Sequence, residues 1–270
     1  MTGPRMRETA LPDRLTVIAI AVIAYAGVNI THEIIGHCGT AALLGNKCLV
    51  ISSTYIPRAA EPLAWKDNVI IAAGVTTNWA MGLVCLGLLR TLRTHPTLRY
   101  FLWLSMCVNL FLPSTYVAVA PIIKFGDSYI LIRDLPGQWF WRGALVSAGA
   151  CICWLSLRLS RAELGRLIGR GGRAARGVAW ELVAPAYVAG GVVTVTSGLF
   201  SRLEFKVAQL EAAGGTFGLT AWLLLLPLVI REPPKPARHP FTVTRSVGWI
   251  VAGALAGLTF IAVLGPGIPL

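Results

Sequence analysis

One apolar stretch of the chain carries the six letters HEIIGH, which place His32, Glu33 and His37 close together. Two neutral imidazoles are good zinc ligands. A carboxylate beside them can take a proton from an attacking water and pass it to a leaving amine. Ionisable side chains within a membrane span are expensive unless they are paired or face a cavity, so such a group marks a functional site. Only four histidines occur in the 270 residues, and two of them lie here.

The spacing poses a geometric question. An α-helix turns about 100° per residue, so His32 and His37, five apart, would diverge by about 140°. A π-bulge, bonded i→i+5, takes up the extra residue in one wider turn, and such bulges are frequent at functional sites. Gly36 lowers the steric barrier to that distortion. The expectation is a widened turn from Glu33 to His37.

The elements that hold these residues are membrane helices. Hydrophobic residues make up 55% of the chain and charged residues 13%, with a mean hydropathy of +0.67, against roughly 25% charged in ordinary soluble domains. A span needs ~20 apolar residues. Candidate runs lie at about residues 15–45, 68–92, 97–120, 139–158, 180–200, 214–230 and 246–265. They predict an all-α, polytopic integral membrane protein of about six to seven transmembrane helices, with residues 1–270 in one domain. After the first span, KCLVISSTYI is rich in β-branched residues and predicts a short strand or hairpin at the membrane surface over residues 47–56. An edge strand there would offer backbone pairing to an extended substrate.

The formal charge of +12 does not imply a nucleic-acid partner, because the basic residues cluster between spans. Arg5, Arg7 and Arg14, then Arg90, Arg93 and Arg99, then the runs Arg158 to Arg176 and Arg231 to Arg245 fall on alternate connections. The positive-inside rule then puts the amino terminus in the cytoplasm. His32 lies about 17 residues beyond Leu15, about 26 Å along a helix, which places the motif nearer the outer face. The first apolar run continues through the motif without a small-residue cleavage site, so it is expected to be retained. The six cysteines form no C-x-x-C pair and read as small hydrophobes, with no disulfide expected between Cys38 and Cys48. The arginine and alanine bias points to a bacterial cytoplasmic membrane.

The motif has two resemblances. HEIIGH resembles the HELLGH motif of the dipeptidyl peptidase III family, whose histidines, also five apart, bind zinc beside a catalytic glutamate. More of the chain is similar to the site-2 protease family of intramembrane zinc metalloproteases. HEIIGHCGTAALLG resembles that family's HExxH helix, and AAGVTTNWAMGLVCLGLL resembles its A-G-P-x-x-N segment, with Gly74 and Asn78 in the glycine and asparagine positions. NLFLPSTYVAVAPIIKFGDSYIL resembles the N-x-x-P…D-G helix, whose aspartate is the third zinc ligand. The chain departs from these patterns in the extra residue between the histidines, at Val75 and at Ser128.

The resemblance covers about residues 15–133 and implies a catalytic core there, with residues 139–270 as additional helices. It implies Zn²⁺ on His32, His37 and Asp127, with Glu33 as general base and a membrane-protein or peptide substrate in the lipid bilayer. Asp134 and Glu181 are the alternatives for the third ligand. Asn78 and Asn109, polar side chains inside spans, are candidates to hydrogen-bond a substrate backbone or an oxyanion, with interhelical bonding the competing role. Two other functions fit the sequence: a membrane zinc hydrolase acting on a lipid or small molecule, and a non-enzymatic metal-binding or ion transporter.

Overall fold

Long runs of leucine, valine, isoleucine and alanine without charge satisfy their backbone polar groups only as helices when water is absent. In the computed structural model, residues 11–54, 63–92, 95–169, 172–203, 205–230 and 241–270 are described. Among them, seven helices are long and apolar enough to cross a membrane. These are α1 (Arg14–Leu43), α2 (Ala64–Thr91), α3 (Pro96–Ile123), α5 (Gln138–Ile168), α6 (Gly172–Leu199), α7 (Lys206–Val229) and α8 (Val247–Leu264). A single-turn helix, α4 (Asp127–Ile130), follows α3. The fold is therefore all-α and polytopic.

The helix α3 is the most enclosed of the seven and lies between α2 and α5, while α1 packs against α6 and α8. The side chains of Trp103, Tyr25, Tyr100 and Phe111 fill the centre. Several polar atoms in that core find partners, which offsets the cost of burying them. The Tyr100 hydroxyl donates to the Leu182 carbonyl at 2.7 Å and the Trp103 indole to the Ser160 carbonyl at 3.1 Å. Glu163, 4% exposed, is held by Arg90 at 2.8 Å and Arg166 at 2.6 Å.

At the opposite end, the segment after α1 forms strand β1 (Val50–Ile51), paired antiparallel with β2 (Ile268–Pro269). The strand expected over 47–56 is therefore only two residues long, with Tyr55 and Ile56 outside the described residues. One edge of β1 is already taken by the chain's own last residues. Cys38 and Cys48 are joined in a disulfide, their Cα atoms 5.4 Å apart. This corrects the expectation of no bridge. Cys38 lies at the mouth of α1, and the turn at Leu44 and Gly45 folds the chain back far enough for Cys48 to meet it.

Candidate metal centre

The turn that carries the motif is widened over ten residues, Ile30–Gly39, all π-helical. The distortion is longer than the expected Glu33 to His37 turn and contains it. Each i→i+5 step brings the fifth residue back to the same side, so His32 and His37 face one another. Their ring centroids are 4.9 Å apart and nearly perpendicular.

Gly36 has a second role that sequence spacing did not indicate. A Cβ on it would lie 2.8 Å from the Gly74 Cα and 3.0 Å from the Ala73 carbonyl oxygen. The widened turn thus lies directly on the α2 backbone, a contact that only glycine permits. Gly74, in turn, floors the site: a Cβ there would come within 2.6 Å of His37 Nε2 and 2.7 Å of His32 Nε2.

Asp127 reaches the histidines by a sharp return. Lys124 is left-handed (φ 59°) and Gly126 has φ 88°, so the chain doubles back after α3 and α4 begins at Asp127. Asp127 Oδ2 lies 3.3 Å from His32 Nε2 and 3.2 Å from His37 Nε2. The three side chains are largely buried, and their candidate ligand atoms all lie within 4.8 Å of one another. A tetrahedral zinc with bonds of 2.0–2.2 Å separates its ligands by about 3.3 Å, so these spacings fit.

The tautomers fit as well. His37 Nδ1 lies 2.8 Å from the Ile70 carbonyl, an acceptor only, so Nδ1 carries the proton and the Nε2 lone pair faces Asp127. Two acceptors 3.2 Å apart need a cation between them, either a further ring proton or a metal ion. On His32, Nδ1 lies 3.4 Å from Asn78 Nδ2, while the Asn78 Oδ1 is buried without a partner among the described residues. With that amide turned over, Oδ1 accepts from His32 Nδ1–H and the orphan is satisfied. Both Nε2 atoms are then free for a metal.

Tyr116 braces the third ligand. Its hydroxyl accepts the Asp127 backbone N–H at 3.4 Å and donates to Glu211 Oε1 at 3.2 Å, and its ring stands edge-on to His32. Glu33 lines the same cavity as His32, together with Asn29, Thr54, Tyr116 and Glu211.

Asn78 thus sits behind a histidine, 0% exposed, and is not among the cavity's lining residues. Asn109 donates to the Ser105 carbonyl of its own helix at 2.9 Å. Of the alternative acids, Asp134 is exposed beside Arg133, and Glu181 pairs with Arg14 at 2.8 Å. Neither joins the histidines. Tyr116 and Glu211 were not singled out from sequence. Glu211 had a signal, a lone acid in an apolar run just before Gly214 and Gly215.

Compared with known proteins, the chain matches no family model, no curated protein and no solved structure. What the arrangement establishes is a buried group of two histidines and an aspartate able to hold a metal ion.

Proposed function

We propose that the protein is an intramembrane zinc metalloprotease. The observation that carries this reading is the convergence of His32, His37 and Asp127 at zinc-ligand spacing, with Glu33 on the cavity beside them. Bound there, zinc would polarise a peptide carbonyl and make water acidic enough to attack near neutral pH. Glu33 takes the water's proton and returns it to the leaving amine. Asn78 and the Ile70 carbonyl orient the two imidazoles, and Tyr116 holds the Asp127 loop in place. The buried flanks of α1, α2 and α3 keep bulk water away from these charges, which strengthens their effect on developing charge.

Two independent features support one orientation. Alternate connections hold the arginine clusters, which favours a cytoplasmic amino terminus. The Cys38–Cys48 disulfide belongs to an oxidising compartment and lies at the other end of α1, beside the metal centre. Both support a site toward the extracytoplasmic face. The substrate would be a membrane-spanning or membrane-adjacent peptide entering from that side.

The test combines metal content and turnover. Purified protein should hold about one zinc per chain, and His32→Ala, His37→Ala and Asp127→Ala should each lose it. Glu33→Gln should keep zinc and abolish cleavage of a co-expressed single-span substrate. Full metal retention in all three ligand variants would end the metal reading, and cleavage surviving in Glu33→Gln would end the assignment of the base.

A further inference from the structure

Glu211 differs from the other membrane-level acids in its surroundings. Glu163 has Arg90 and Arg166, and Glu181 has Arg14. Among the described residues Glu211 forms no ion pair with lysine or arginine. Its hydrogen bond comes from Tyr116, and its charged neighbours include two further carboxylates, Glu33 and Asp127, with His37 beyond them. A second π-helical segment, Leu210–Gly218, aims it into the cavity that His32 and Glu33 line, and Thr216, five residues on, faces the same space.

The cavity that Glu211 faces is lined by a second carboxyl, Glu33, and among the described residues by no lysine or arginine. An acid at membrane depth is retained where it is paired or faces a cavity that receives a polar group. A second observation points the same way. Thr54, 2% exposed, lines this cavity, and of the six buried side-chain atoms without a hydrogen-bond partner among the described residues, its hydroxyl oxygen is the one on this lining. An unsatisfied buried hydroxyl is rare unless a ligand or water completes it.

We propose that the cavity between Glu33, Thr54 and Glu211 is a subsite for a primary ammonium group of the substrate, with Glu211 as its counter-ion and the Thr54 hydroxyl as its second acceptor. An ammonium has three donors and no acceptor, which suits a carboxylate and a hydroxyl. In a peptide the group is either a free α-amine or a lysine side chain beside the cleaved bond. That the ammonium belongs to a peptide being cleaved rests on the protease reading; its binding does not.

The test measures binding to zinc-loaded, detergent-purified protein by calorimetry, with two matched pairs of small probes. Leucinamide against N-acetyl-leucinamide isolates the α-amine, and N-acetyl-lysinamide against N-acetyl-norleucinamide isolates the side-chain amine. A charge-assisted bond predicts that one cationic probe binds about ten- to a hundredfold tighter than its neutral partner. Glu211→Gln should bring that ratio to within twofold while zinc content stays unchanged. Thr54→Val, nearly isosteric, should reduce it about threefold and serves if Glu211→Gln does not fold. Equal binding within both pairs, or a preference that survives Glu211→Gln, overturns the subsite. An ammonium preference without peptide cleavage would leave the subsite standing and remove the protease reading, whereas cleavage without the preference would do the reverse.

Discussion

Replacing Gly74 by alanine should empty the metal centre without touching a ligand. A Cβ at Gly74 would lie 2.6 Å from His37 Nε2 and 2.7 Å from His32 Nε2 and Cε1, where ordinary contact begins near 3.4 Å. Both imidazoles would have to move by about 0.7–0.8 Å, several times the ±0.2 Å by which metal–ligand distances normally vary. Changing a residue that merely orients a ligand lowers metal affinity by roughly 10–100-fold. Displacing two ligands together should exceed the upper figure, at least about 2.8 kcal/mol at 1.4 kcal/mol per tenfold. Helix propensity acts in the opposite direction, since alanine is favoured over glycine in a helix interior by roughly 0.5–1 kcal/mol. A loss of zinc with helicity intact would therefore be steric and local. Gly87→Ala is the control, because it lies in the same helix and nothing stands within 4 Å of its added Cβ. Zinc per chain by plasma mass spectrometry, affinity by competition with a chromophoric chelator, and circular dichroism in the same detergent make the comparison. If Gly74→Ala binds zinc within twofold of the wild type while Gly87→Ala does the same, the two histidines do not share an ion over this floor.

Other perturbations test separate parts of the structure. Asn78→Ala removes the group behind His32 Nδ1 and should weaken zinc binding about 10–100-fold with the fold retained; unchanged affinity would mean that Asn78 does not orient the ligand. Tyr116→Phe frees the Asp127 N–H and Glu211 together and should lower zinc affinity about tenfold with little change in melting temperature, a result read by the same chelator competition. Replacing Cys38 and Cys48 by serine opens a ten-residue separation and should lower stability by about 2–3 kcal/mol. In intact cells, an impermeant thiol reagent should label Cys48 only after reduction. Labelling that requires the membrane to be broken would place the site on the cytoplasmic face.

Much of the fold was legible because lipid leaves the backbone few choices. Where no water is available to bond N–H and C=O groups, an apolar run of sufficient length is a helix, and the seven runs read from hydropathy reappear as seven helices with ends displaced by a few residues to about ten. The helix α5 runs on to Ile168, beyond its apolar run, because Glu163 and Arg166 satisfy one another where it leaves the apolar layer. Contacts set by chain reversal were less legible. The meeting of Cys38 with Cys48, and the pairing of β1 with the last residues of the chain, depend on where a turn and a distant terminus arrive, and no local pattern encodes either.

The site shows the same division. The ion-binding types and their odd spacing were visible in HEIIGH, and the spacing itself required a widened turn. What spacing could not show is why that turn is tolerated. A π-helix is a poorer helix than an α-helix and persists where packing over-determines it. Here Gly36 lies on the Gly74 backbone and the disulfide at Cys38 ties down the turn's far end, so the widened geometry is fixed from α2 and from the following loop at once. A second π-helix in α7 presents Glu211 and Thr216 to the same cavity from the opposite wall. Residues five apart therefore deserve the same scrutiny in apolar runs that residues four apart receive. Glu211 was less legible because no histidine, cysteine or second acid lies four or five residues from it to suggest a metal-ligand pair. The physical signal was its cost: an acid in an apolar run is kept where something in the folded protein or its ligand meets it.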